Sequence, residues 1–164
     1  MRSSKSKLTL LGAVVVVGLF GLHQAFATPA SPAPVFVSTT LVGPATLEEF
    51  QSKTVNDDGH RIKLQTKGVS DVYVTNIKIQ PGGQGGWHSH PGPSIICVKA
   101  GEATFYDDCD GATTPHRYTA GKCFVEDAGC VHILKNEGSV DVEIYVMQIV
   151  PEGAPRRIDA ASPL

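Results

Sequence analysis

From residue 71 onward the chain alternates between apolar and polar positions. Asp71-Val72-Tyr73-Val74-Thr75-Asn76-Ile77-Lys78-Ile79 mixes β-branched and polar residues at a partial two-residue period, which predicts a strand with one buried face. Val140, Val142, Ile144 and Val146 share one face, with Asp141 and Glu143 on the other, and predict a second long strand over 140–150. Shorter runs lie between them. Residues 94–99 and 102–106 flank Ala100-Gly101 and read as a hairpin; 123–125 and 131–134 flank a turn at Asp127-Ala128-Gly129. Residues 81–86, with four glycines and a proline, form a loop, 107–114 is a polar connection, and the chain beyond Pro151 reads as irregular. Roughly eight to ten short strands separated by turns predict an all-β fold closed as a barrel or jelly roll, which hides strand edges.

Upstream the pattern changes. Thr46-Leu47-Glu48-Glu49 matches a capping box and predicts one short helix, ending before the Asn56-Asp57-Asp58-Gly59 turn. Thr28-Pro29-Ala30-Ser31-Pro32-Ala33-Pro34 reads as an extended linker, because closely spaced prolines oppose helix and sheet pairing. Before it, Arg2, Lys5 and Lys7 precede an apolar run from Leu8 to Leu22, and Ala25-Phe26-Ala27 follows. That order is the pattern of a secretory signal, and the run is short for a membrane span. The expected organisation is a signal peptide over 1–27, a Pro-rich linker and arm over 28–45, a β-barrel over 46–150 and a tail over 151–164. The expected location is extracytoplasmic, with no stable membrane association after cleavage; an uncleaved N-terminal anchor is the alternative.

Composition narrows the function classes. Hydrophobic residues make up 41% and charged residues 18%, which suits a globular domain. Removing 1–27 leaves 11 basic against 16 acidic residues, a net charge of −5. No nucleic-acid partner is expected from a chain without a positive field. Cys97, Cys109, Cys123 and Cys130 contain no C-x-x-C pair, so neither a zinc ribbon nor a dithiol redox site is predicted. Export permits disulfides. The pairing favoured by proximity to the polar connection is Cys109–Cys123, with Cys97 and Cys130 readable as buried thiols.

The chemistry concentrates in histidine. His88 and His90 are one residue apart, so on a strand both project to one face. Neutral imidazoles side by side suit a borderline divalent metal, and such a metal needs a further ligand from elsewhere. His132, on another strand after a glycine turn, is the candidate. An H-x-H pair alone is also common at strand ends, so the surrounding spacing matters. It runs Gly82-x5-His88-x-His90-x3-Ser94-x6-Gly101, then Gly121-x5-Asp127-x-Gly129-x2-His132-x3-Asn136, with residues 102–120 between.

Together these segments resemble the two motifs of the cupin superfamily at eight of ten defining positions. The resemblance implies a single jelly-roll β-barrel, a divalent metal ion on His88, His90 and His132 (iron, manganese, zinc, nickel or copper), and a small-molecule ligand or substrate. Cupins often pair through outer strands, so a homodimer is an allowed assembly. Two positions depart. Ser94 stands where the family has a carboxylate ligand, and Asp127 where it has proline. Losing the carboxylate removes negative charge beside the metal, whereas Asp is a competent turn former. Gln84, Cys130 and Glu126 are possible replacements by position, each better explained as structural or solvated. Trp87 alternates away from His88 and is expected in the barrel wall. His116, His60 and Arg156-Arg157 are expected at the surface. The function classes left are a metal-dependent enzyme of dioxygenase or isomerase type, a non-catalytic exported protein binding a metal or small ligand, and a metal-free structural barrel.

Overall fold

The computed structural model describes residues 26–111 and 114–163. All but the last two residues of the predicted leader therefore lie outside the described residues. In chain order the strands are β1 (Phe36–Leu47), β2 (Gln51–Val55), β3 (Arg61–Gln65), β4 (Ser70–Ile79), β5 (His88–Ser89) and β6 (Ser94–Ala100). They continue as β7 (Glu102–Asp107), β8 (His116–Thr119), β9 (Cys123–Glu126), β10 (His132–Lys135), β11 (Val142–Pro151) and β12 (Ile158–Asp159). One sheet has the order β1-β4-β11-β6-β9 and the other β12-β5-β10-β7-β8, while β2 and β3 form a separate hairpin. The two large sheets face one another as a jelly roll.

The long strands behave as their periodicity predicts. β11 pairs antiparallel with β4 along its whole length, from Val142 opposite Ile79 to Pro151 opposite Ser70. Val142, Ile144, Val146, Gln148 and Val150 face inward, and Tyr145 and Met147 face outward. The core joins Ile79, Ile96, Val98, Phe124, Val142, Ile144 and Val146 of the first sheet to Ala103, Phe105 and Leu134 of the second. Only Val140 departs: it precedes β11 and is exposed.

Four expectations need correction. The short helix at Thr46 is absent. Thr46 and Leu47 end β1, opposite Asp71 and Ser70, and 51–55 pairs with 61–65. The Glu49 carboxylate, which would have closed the capping box, accepts instead from the Gly68 N–H, and the Phe50 N–H donates to Thr66 Oγ1 rather than into a helix. Sheet pairing thus overrides a local signal with too little chain behind it to sustain a helix. Second, β6 and β7 are not a hairpin. β6 pairs with β11 and β9, and β7 with β10 and β8, so the Ala100-Gly101 turn carries the chain from one sheet to the other. The backbones pass closely there: Gly101 has φ +75°, and a Cβ on it would lie 2.5 Å from the Asp141 carbonyl oxygen.

Third, the arm and the tail both contribute strands. β1 spans Phe36–Leu47 as an edge strand, and β12 pairs with β5 at the H-x-H segment. Fourth, the disulfides are Cys97–Cys123 and Cys109–Cys130. Cys97 and Cys123 are directly opposed on β6 and β9, with Cα atoms 4.1 Å apart. Their positions alternate with inward-facing Ile96, Val98 and Phe124, so this bridge ties the strands on the outer face. Cys109, in a single 3-10 turn over Asp108–Asp110, reaches Cys130 just before β10. The first bridge follows strand register and the second joins a 3-10 turn to the loop before β10, neither of which proximity along the chain reveals.

Candidate metal centre

His88 opens β5 and His132 opens β10, and the two residues are directly opposed in the ladder. His90 follows two positions after His88 and so shares its face. The three rings meet: their centroids are 4.7 Å apart for His88–His90, 4.5 Å for His88–His132 and 5.1 Å for His90–His132. One donor nitrogen from each lies within 4.8 Å of the others. All three residues are buried, His132 completely.

The backbone fixes how each ring presents itself. His88 Nδ1 is 2.8 Å from the Gly86 carbonyl oxygen, His90 Nδ1 is 2.5 Å from that of Arg156, and His132 Nδ1 is 2.9 Å from that of Cys130. A carbonyl oxygen only accepts, so each Nδ1 carries the proton and donates it, leaving the Nε2 lone pair free. This is the outer support that metal-ligating histidines usually have. Gly86 is needed for it: φ is +71°, and a Cβ there would lie 2.3 Å from the Thr28 carbonyl oxygen. Burial, reinforced by the neighbouring His132, pushes the His88 imidazole down to about 2. Burial also lowers His132, with Glu126 opposing the shift. Both rings are therefore neutral at ordinary pH, the protonation state that binds metals.

A fourth group joins them. Glu126, at the end of β9, is 4% exposed; its Oε2 lies 3.5 Å from His90 Nε2 and its Oε1 3.5 Å from His132 Nε2. Opposite Glu126 in the β6–β9 ladder stands Ser94, completely buried. Ser94 Oγ and His132 Nε2 are the two buried side-chain atoms, among the described residues, that lack a hydrogen-bond partner. An orphaned buried nitrogen among two more imidazoles and a carboxylate is a donor set that fits a divalent transition metal. Glu126 had been readable from sequence only as a position of inward parity. Its partner strand, which brings it opposite Ser94, is not encoded in that local pattern.

A cavity of about 320 Å³ reaches His88, His90 and Glu126. Its walls are largely apolar, with Phe36, Ile96, Ile144 and Val146 among them, and Gln148 and Arg156 add polar groups. Arg156 is not a solvated tail residue. Its Nη2 donates to Thr75 Oγ1 at 2.8 Å and its Nε to Gln148 Oε1 at 3.2 Å, while the guanidinium lies 4.3 Å from the Tyr73 ring centroid. Arg157 also lines the cavity, half-buried, and its Nε donates to the exposed Asp159 carboxylate.

The remaining candidates fall outside the centre. Gln84 bridges to Lys135 through its backbone, and the sulfur of Cys130 is bonded to Cys109. The same bridge removes both thiols from the cluster Asp107, Asp108, Cys109 and Cys130. Trp87 is buried in the wall, His116 pairs with Asp110 at 2.8 Å, and His60 is exposed. Asp127 lies exposed in its turn. Asn136 proves structural: its Nδ2 donates to the carbonyl oxygens of Ile79 and Val140, both at 2.8 Å, clamping the chain ahead of β11 onto the end of β4.

The family model described as a cupin domain matches residues 76–148, a span that holds all three histidines and Glu126. Residues 76–148 form a cupin domain. This cupin is similar in structure to a cupin superfamily protein from Desulfitobacterium hafniense, with 10% identity, TM-score 0.49, and coverage of 73% of this chain and 82% of that one. It is likewise similar to a cupin 2 conserved barrel domain protein from Leptotrichia buccalis, with 17% identity, TM-score 0.49, and coverage of 73% and 43%. An oxalate oxidase is 25% identical with TM-score 0.42, over 49% of this cupin and 46% of that chain. No curated protein sequence matches this cupin.

Proposed function

We propose that this cupin is an exported metalloprotein that holds one divalent ion on His88, His90 and His132 and presents it to a small organic molecule in the adjoining cavity. The observation that carries this reading is the common orientation of the three rings, each with Nδ1 tied to a backbone carbonyl and Nε2 left free. The bound ion supplies Lewis-acid polarisation of a substrate oxygen, chemistry that no side chain here provides alone. The protein's own contribution is to hold the rings in place, to keep His88 and His132 neutral by burial and to wall the site with apolar residues. The cavity lies at the lower end of the range for small-molecule sites, about 300–1,000 Å³, and so suits a compact ligand. Export is supported by the leader pattern and by two disulfides, which persist in oxidising compartments.

Elemental analysis of the protein isolated from its native compartment tests this. The expected result is close to one equivalent of a divalent transition metal, lost in His88→Ala and in His132→Ala. A metal-free protein under metal-replete conditions contradicts it and leaves a structural barrel.

A further inference from the structure

We propose that Glu126 is the anionic ligand of this centre, supplying from β9 the carboxylate that the Ser94 position on β6 does not. The proposal rests on the three-histidine reading and extends it. Ser94 and Glu126 are directly opposed in an antiparallel ladder, so their side chains leave the sheet on the same face. Opposed residues have Cβ atoms roughly 4.5–5.5 Å apart, so a carboxylate on either strand reaches the same region of the interior. Two carboxylates there would face each other across one rung, a destabilising like-charge pair. One position holds the acid, and a small residue at the other leaves it room.

The distances agree with shared ligation. Two donor atoms, each about 2.1 Å from one metal, are separated by roughly 3.0–3.4 Å at coordination angles between octahedral and tetrahedral. Glu126 approaches His90 Nε2 and His132 Nε2 at 3.5 Å, with a different oxygen toward each. Because these rings donate through Nδ1 to carbonyls, both contacts set lone pairs against lone pairs, and a cation between them resolves the repulsion. A nearly buried carboxylate also needs a positive partner. With three neutral imidazoles, a divalent ion leaves a buried charge of +2, and the carboxylate halves it.

The test is a Mn2+ titration of metal-stripped protein, followed by electron paramagnetic resonance, on wild type, Glu126→Gln, His132→Ala and the double variant Ser94→Glu/Glu126→Gln. Expected is at least a tenfold weaker Kd and an altered Mn2+ spectrum in Glu126→Gln, with tighter binding restored when the acid returns on β6. Wild-type protein labelled with 13C at the glutamate side-chain carboxyl gives an independent readout that needs no variant to fold: a 13C hyperfine coupling to the bound Mn2+. Wild-type binding with no such coupling, or a Glu126→Gln affinity within twofold of wild type with an unchanged spectrum, overturns the role of Glu126. If His132→Ala still loses the ion, the histidine centre survives that outcome. Failure of wild type to bind Mn2+ or any other divalent transition metal overturns both.

Discussion

The two ends of the barrel interior are built from the same strands and differ in kind. On β6, Ile96 and Val98 face the apolar end and Ser94 the other; on β9 the pair is Phe124 and Glu126; on β10 it is Leu134 and His132. On β11, Val142, Ile144 and Val146 give way to Gln148. β6, β9 and β11 carry their two-residue alternation across both ends, and β10 buries Ile133 between its two inward residues, so burial continues where the chemistry changes. The apolar end supplies cohesion through close packing. The polar end gathers groups whose burial is costly unless something joins them. Stability and function are therefore segregated along the strands, which leads us to expect that each can be perturbed with limited damage to the other.

Substitutions sharpen that separation. The largest effect on stability is expected at the apolar end: Ile79→Ala, at a completely buried position that does not line the cavity, should cost about 3 kcal/mol in chemical denaturation while leaving one metal site per chain. A variant that folds but binds no metal would show that the two ends are coupled. A smaller effect is expected from pH in the metal-free protein. Burial holds His88 far below its unfolded value, so the unfolded chain takes up a proton that the folded one refuses. Stability should therefore be full above about pH 7 and fall as pH drops, by about 2 kcal/mol between pH 7.5 and 5 from this group, with His132 acting in the same direction. Flat stability across that window would mean that the rings are solvated. The smallest effect is expected at Ser94→Ala. Removing a buried hydroxyl with no partner should leave stability unchanged or raise it by up to about 1 kcal/mol. A clear loss in thermal unfolding would show that the hydroxyl is in use.

The same contrast explains what could be read from sequence. The inward faces of β4 and β11 and the shared face of His88 and His90 depend on spacing within one strand, and His132 was reached through motif spacing. Glu126 depends on which strand lies beside which. Local parity placed it inward, but only the β6–β9 register puts it opposite Ser94 and against His90 and His132. The failed Thr46 helix, the supposed β6–β7 hairpin and the disulfides share that cause: in each, long-range pairing decides and local composition is silent or misleading. The tail is a related case. Nothing in Arg156-Arg157 announces that a backbone carbonyl there will orient His90 while the neighbouring guanidinium lies along the cavity.

The most direct test of the metal centre is an anomalous difference map from crystals of the protein loaded with Mn2+, Fe2+, Zn2+ or Ni2+ and measured at the absorption edge of that metal. Our account predicts one strong peak about 2.0–2.2 Å from the Nε2 atoms of His88, His90 and His132. No peak at that point for any of these metals, or a peak only at the Asp107–Asp108 cluster, would contradict it.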